Sequence, residues 1–136
     1  MHLEIVNPES LGAPKGWSHG MLAPRDGRLL FVAGMAGWNE RVGGDPPGFV
    51  VQFAHALDQV LTVVREAGGE PTDVARMTVY VTNLAQYREN LKGLGEIWRE
   101  RFGRHYPAMA LLEVSGLVDR GALVEIETTA VLAGRR

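Results

Sequence analysis

The 136-residue chain carries 14 lysine or arginine residues against 16 aspartate or glutamate residues, a formal net charge of -2 at pH 7. Its 46% hydrophobic and 22% charged residues are typical of a globular protein, and the length predicts a single domain over residues 1–136. The charge balance argues against nucleic-acid binding, and the absence of cysteine excludes disulfides, thiolate nucleophiles and cysteine-based metal sites.

The sequence also indicates a location. No apolar run reaches the roughly 20 residues that a membrane-spanning helix needs. The first residues lack the basic start and apolar stretch of a secretory signal. A chain without cysteine fits a reducing compartment. We therefore expect a cytoplasmic protein with no membrane partner.

The first predicted elements are strands. Residues 28–35 (RLLFVAGM) form an apolar run preceded by the turn signal Pro24-Arg25-Asp26-Gly27. This pattern predicts a β-hairpin between the run and residues 17–23. Residues 39–48 contain two adjacent glycines and two adjacent prolines, which predicts a loop. Whether this loop closes over a binding site stays open.

Two helices are predicted in the middle of the chain. From residue 49 to residue 67 apolar side chains recur at helical spacing, and Gly68 supplies a left-handed stop. Asn83 followed by Gln86 resembles a capping box. Apolar residues then trace one face of a second helix that ends at Gly103.

Three further strands complete the predicted order. Residues 75–82 alternate and are rich in β-branched side chains, and residues 107–114 and 123–132 form two more strand-like runs. The order β-β-α-β-α-β-β predicts an α+β fold, with a mixed sheet and two helices covering one face.

The strand at residues 28–35 is apolar on both sides. Leu29 and Phe31 alternate with Leu30 and Val32. Two helices cannot bury both faces of the sheet. At about 25 cal/mol per Å², leaving several such side chains in water costs more than a marginally stable domain can spare. A second copy of the chain is the simplest cover, so we expect a homo-oligomer.

Several short motifs resemble the Rid family, also called YjgF-like. They are GWSHG at 16–20, LFVAG at 30–34, AGG at 67–69, TVYVTNL at 78–84, YPAM at 106–109 and VEIE at 124–127. They follow the family's order across nearly the whole chain. The resemblance implies a chorismate-mutase-like fold assembled as a homotrimer, with the sheets forming a central barrel and small-molecule clefts between subunits.

The resemblance also implies an activity without a cofactor. Members typified by the family name hydrolyse reactive imines and enamines to a keto acid and ammonia. An arginine holds the substrate carboxylate, and a glutamate positions the water that adds to the imine carbon. Glu125, the first acidic residue of VEIE, matches that glutamate. Its alternative role is that of an ordinary residue on a polar strand face.

The family's arginine is absent. Met109 occupies the position after Pro-Ala, and methionine cannot make a forked contact with a carboxylate. Ala33 replaces a usual serine and Trp17 a common tyrosine, which makes the expected cleft more apolar. These departures indicate a divergent subgroup, and Met109 argues against the usual amino-acid-derived substrates. The remaining substrate-binding residues that the resemblance implies are Gly34, Asn90 and Leu111.

Other cations and other sites have weaker support. Arg104, His105 and Arg120 are possible replacements for the missing arginine, but single charges in loops are usually solvated. The four histidines show no metal-ligand spacing, so no metal is expected. Gly93 and Gly95 lie within the second predicted helix, whereas a phosphate-binding loop precedes a helix.

Two functions remain open. In the first, the protein hydrolyses an imine, an enamine or a related labile molecule with Glu125 and water. In the second, it is a non-catalytic trimer that binds a small ligand in the same cleft. Family members have also been labelled ribonucleases or translation inhibitors, and the acidic charge balance argues against that role here.

Overall fold

The computed structural model describes residues 2–134, which contain two sheets and three α-helices. The strands are β1 Glu4–Val6, β2 Gly20–Leu22, β3 Arg28–Ala36, β4 Val74–Val81, β5 Ala108–Glu113 and β6 Val124–Leu132. The helices are α1 Phe49–Glu66, α2 Leu84–Glu89 and α3 Leu91–Phe102. The predicted α+β class is confirmed.

The main sheet has the strand order β3-β6-β4-β5. Strand β6 runs antiparallel to both of its neighbours, whereas β4 and β5 are parallel. A parallel pair needs a crossover connection, and α2 with α3 provides it. The sheet is therefore mixed, as the sequence predicts, and β3 and β5 are its two edges.

The predicted hairpin between residues 17–23 and 28–35 is wrong. Strand β2 pairs with β1, which the sequence did not predict, and Met21 lies opposite Ile5. The turn itself is present, because the Gly27 N–H donates to the Pro24 carbonyl at 3.1 Å. However, it leads from the small sheet into β3, which pairs with β6 instead. Strand β1 satisfies the backbone groups of the short β2.

The second predicted helix is interrupted at Asn90. The Asn90 side-chain amide donates to the Gln86 carbonyl at 2.6 Å, and its backbone N–H turns to the Tyr87 carbonyl at 3.2 Å. An asparagine that competes for backbone acceptors in this way ends one helix and begins the next. At the N-terminus, the Asn83 side chain accepts from the Ala85 N–H at 2.9 Å, which confirms the cap residue, but the predicted capping box is wrong, because Gln86 Oε1 has no hydrogen-bond partner in the described part of the chain.

The hydrophobic core lies between the helices and one face of the main sheet. The largest fully buried apolar side chains include Leu57, Leu61, Met77, Val79 and Ile126. Helix α1 ends at a glycine in the left-handed region, Gly68 with φ of 89°, as predicted. No helix within residues 2–134 is long and apolar enough to cross a membrane.

The loop at residues 39–48 is irregular, as predicted, and a buried glutamine anchors its end. The Gln52 amide donates to the carbonyls of Pro47 and Gly121, each at 2.9 Å. Its Oε1 accepts the Leu123 N–H at 2.8 Å. Gln52 thereby joins this loop to the segment that enters β6.

The second face of the main sheet is open. Phe31 is 74% exposed and Leu29 is 61% exposed, while Val32, the next residue after Phe31, is 5% exposed on the helix side. Leu112 on β5 is also 43% exposed. We call the surface formed by Leu29, Phe31, Tyr80, Leu112, Glu125 and Glu127 the open face. Its apolar residues support the expectation that one subunit does not bury both sides of its sheet.

Candidate functional site

Glu125 lies on the open face. It is in β6, opposite Ala36 of β3 and Tyr80 of β4. Its neighbours Val124 and Ile126 are fully buried against the helices, so strand alternation directs the Glu125 side chain the other way. The side chain is partly exposed, and its carboxylate therefore lies on the side of the sheet that the helices do not cover.

A bulge in β3 brings Gly34 against this carboxylate. The register between β3 and β6 shifts between Val32 and Met35, which leaves Ala33 and Gly34 outside the regular pairing. A Cβ atom at position 34 would lie 2.7 Å from Oε2 of Glu125 and 2.9 Å from its Cδ. Any side chain at this position would have to displace the Glu125 carboxylate, whereas the backbone is not strained, because the φ of Gly34 is not positive. The structure thus places the predicted residues Glu125, Gly34 and Ala33 together.

Two polar residues beside Glu125 were missed by the sequence analysis. The Tyr80 hydroxyl donates to Oε1 of Glu127 at 2.5 Å. This hydrogen bond, aided by the negative charge of Glu127, raises the pKa of Tyr80 above its ordinary value. Strand alternation places both on the same face as Glu125. Their pairing depends on the β4–β6 register, for which the local sequence carries no signal.

Met109 and Leu111 lie on the opposite side of the sheet. On the edge strand β5 they pair with Met77 and Val79 of β4, which are fully buried under the helices. Paired residues share a face, so Met109 and Leu111 point towards the helices. Within one subunit, Met109 and Glu125 therefore do not meet.

Met109 and Leu111 line a cavity of about 310 Å³ between β5 and the helices α2 and α3. We call it the helix-side cavity. Its walls are mainly apolar and aromatic, and they include Tyr87, Leu91, Leu94, Trp98 and Tyr106. Two cations, Lys15 and Arg99, also line it. A cavity of this size with an apolar wall and a few polar groups is typical of a small-molecule site.

Trp17 flanks the same edge strand. Ser18 forms a bridge to Ala108, which holds the preceding Trp17 beside β5. Trp17, 43% exposed, and Met109 together line a shallow depression that Arg76 also borders. Arg76 is a cation that the sequence analysis did not consider. Strand register places it next to Ala108, on the open-face side of the sheet.

The cations that the sequence analysis did consider lie elsewhere. His105 is buried, with its Nε2 at 2.7 Å from the Val74 carbonyl and its own carbonyl accepting from Trp98 Nε1 at 3.0 Å. Arg104 and Arg120 are exposed. None of the three lines a cavity with Met109.

Asn90 lies at the junction of α2 and α3, where its side-chain amide is bonded to the backbone of Gln86. It adjoins Leu91 of the helix-side cavity without lining the cavity itself. Within residues 2–134 there is no group of three or more histidine, aspartate or glutamate residues that could hold a metal ion.

The predicted site residues thus form two groups. Glu125, Gly34 and Ala33 lie at the β3–β6 end of the sheet, and Trp17, Met109 and Leu111 lie at β5. Fold and candidate residues together define a small α+β protein with a mixed sheet, an open face and two separate groups of candidate site residues.

The chain belongs to the Rid (YjgF-like) family. The matching family model, described as Endoribonuclease L-PSP, covers residues 8–132. The resemblance based on the sequence motifs is therefore confirmed.

Individual relatives match over most of the chain. A Rid-family protein of unknown function from Yersinia pestis is 31% identical, with 97% of this chain and 100% of that chain covered and a TM-score of 0.82. A RutC family protein from Pyrococcus abyssi is 29% identical over 96% of this chain and 98% of its own. A protein from Capra hircus named 2-iminobutanoate/2-iminopropanoate deaminase is 29% identical over 76% of this chain and 73% of its own.

Proposed function

We propose that this protein hydrolyses a small imine, enamine or related labile molecule, with Glu125 positioning the attacking water. The observation that carries the proposal is the Glu125 carboxylate packed against Gly34, where any larger residue would displace it. The name of the Capra hircus relative supports the same chemistry. A carboxylate on a partly exposed strand face is suited to orient water and to accept its proton.

The reaction needs only water. A water molecule bound to the Glu125 carboxylate adds through its oxygen to the imine carbon. The carboxylate takes the water proton and passes it to the imine nitrogen as the C=N double bond becomes a single bond. The resulting carbinolamine then loses ammonia and leaves a carbonyl compound. General base catalysis of this kind contributes roughly 100-fold to 10,000-fold to the rate.

A second copy of the chain is needed to complete the site. The two groups of candidate residues lie at different ends of one sheet, and Met109 and Glu125 lie on its opposite faces, so we expect that one subunit does not place both groups around a small molecule. In the homotrimer that we propose, the β5 edge of each subunit meets the β3–β6 end of the next. The apolar residues of the open face then line the inside of the assembly and are removed from water.

Met109 favours a second candidate function. Without the forked contact of an arginine, this position contributes only an apolar surface to the helix-side cavity. A non-catalytic trimer that binds a small apolar ligand would use the same cavity and would not need Glu125.

An imine-hydrolysis assay separates the two functions. A pyridoxal-phosphate dehydratase supplies 2-aminoacrylate, an amino-acid oxidase supplies imines with larger side chains, and the loss of each imine is followed with and without the protein. We expect acceleration by the native protein and at least a 100-fold loss in Glu125→Gln. Glu4→Gln, which changes an exposed strand glutamate outside the site, is the matched control.

The outcomes are distinct. Equal rates for the native protein and Glu125→Gln on every imine would contradict the hydrolase proposal. Ligand binding without any acceleration would favour the non-catalytic alternative. Met109→Arg should raise the rate on 2-aminoacrylate, since it restores a carboxylate contact at the cleft.

A further inference from the structure

The helix-side cavity is lined by an arginine that lies close to a glycine of the same helix. Arg99 and Gly95 are one helical turn apart in α3, and a Cβ atom at position 95 would lie 3.1 Å from Nη1 of Arg99. The guanidinium therefore lies back along the helix, over Gly95, where it lines the cavity with Met109. Glycine is a poor helix former, so its place inside α3 favours a packing reason of this kind.

The charge of Arg99 is not balanced by a nearby carboxylate. Arg101, two residues further on, pairs with Asp58 at 2.7 Å. Among residues 2–134, no carboxylate lies within 4.0 Å of the Arg99 guanidinium. Lys15 adds a second positive charge to the cavity lining, which contains no acidic residue. The cavity thus offers two cations to an anionic group.

The remaining wall suits an apolar group. Met109 and Leu111 lie on one side of the cavity, and Leu94 and Trp98 lie on the other. An arginine at position 109 would bring a charge into this region, whereas methionine leaves it apolar. The cavity of about 310 Å³ accommodates an apolar side chain as well as a carboxylate.

We propose that Arg99 binds the substrate carboxylate in place of an arginine at position 109, and that the substrate is an imino acid with a bulky apolar side chain. This inference rests on the proposed function, which supplies the imine as the reactive group of the substrate. The carboxylate lies at Arg99 and Lys15, and the side chain packs against Met109 and Leu111.

The test uses calorimetry to measure how tightly the full-length protein binds phenylpyruvate. Phenylpyruvate is the stable keto acid that hydrolysis of such an imine would leave. Pyruvate, which lacks the apolar group, and the methyl ester of phenylpyruvate, which lacks the charge, are the comparison ligands. We expect phenylpyruvate to bind more tightly than either. Arg99→Gln should weaken it about tenfold or more, and Arg99→Lys should weaken it less.

Two further variants test the geometry. Gly95→Ala should weaken phenylpyruvate binding less than Arg99→Gln does, because the new methyl group shifts the guanidinium by only a few tenths of an ångström and leaves the helix intact. Lys92→Gln removes an exposed charge from the same helix outside the cavity and should change nothing.

Either of two results would overturn the inference: phenylpyruvate binding that is unchanged in Arg99→Gln, or a loss of binding in Arg76→Gln in place of Arg99→Gln. Binding is measured without turnover, so it separates this inference from the hydrolase proposal. Arg99-dependent binding without hydrolysis of any imine would support the carboxylate site and reject the catalytic role of Glu125. A rate of imine hydrolysis that does not change in Arg99→Gln would support the catalytic role of Glu125 and reject the carboxylate site at Arg99.

Discussion

Replacement of Gly34 with alanine should move the Glu125 carboxylate and leave the fold in place. The added Cβ would lie 2.7 Å from Oε2 of Glu125, whereas non-bonded atoms rest at about 3.5 Å. The carboxylate must therefore move by roughly 0.8 Å. Only the end of a partly exposed side chain has to yield, because the three nearest atoms all belong to the Glu125 side chain.

The expected effects on stability and activity differ. An off-rotamer side chain costs about 0.5 to 1.5 kcal/mol. Replacing a glycine of ordinary φ with alanine stabilises the folded protein by about 0.4 to 1 kcal/mol, because it lowers the conformational entropy of the unfolded chain. The free energy of unfolding should thus change by less than about 1 kcal/mol. A misplacement of about 1 Å can reduce catalysis 100-fold, so the rate of imine hydrolysis should fall far more than stability does.

Urea denaturation and the imine-hydrolysis assay measure the two quantities for Gly34→Ala, Glu125→Ala and the double variant. The double variant should be no less active than Glu125→Ala, because both changes remove the same contact. Gly20→Ala is the control, since its Cβ would lie an ordinary 3.6 Å from Val6. Full activity in Gly34→Ala would refute the reasoning about Glu125. A stability loss above about 3 kcal/mol would mean that the backbone, and not the carboxylate, yields.

Three other predictions follow from burial, exposure and hydrogen bonding. Leu57→Ala should lower the free energy of unfolding by about 2 to 5 kcal/mol, because it leaves a cavity under α1. Urea denaturation at fixed protein concentration measures this free energy. A loss below about 1 kcal/mol would contradict the packing of Leu57. Phe31→Glu should yield single subunits in sedimentation, because it puts a charge on the open face; an assembly of unchanged mass would show that subunits meet elsewhere. Glu127→Gln should lower the pKa of Tyr80, because the accepting carboxylate is lost. In the native protein, the hydrogen bond from Tyr80 to Glu127 contributes its full stability below the pKa of an unfolded tyrosine. That stability is lost as the pH rises through the higher pKa of Tyr80 in the folded protein. Ultraviolet titration of tyrosinate follows the change, and identical curves for both proteins would count against it.

The sequence predicts the regular elements well where their signals are local. The strands β3, β4, β5 and β6 each begin and end within one residue of the predicted limits. Helix α1 begins at Phe49 as predicted, and Gly68 follows its last turn in the left-handed conformation. Side-chain periodicity and a glycine stop act over a few residues, so the chain reveals them directly.

The break at Asn90 shows where this local reading fails. The apolar spacing is that of one continuous helix, but a single side-chain hydrogen bond to Gln86 divides it. The competing bond depends on one side-chain conformation, which the apolar spacing does not report.

The residues alone establish the family motifs, the α+β class and the presence of strands that are apolar on both sides. They do not reveal which strands pair, because a strand's alternation fixes its two faces and leaves its neighbours open. The β1–β2 pairing, the opposite faces of Glu125 and Met109, and the guanidinium of Arg99 over Gly95 all result from contacts that depend on the folded backbone.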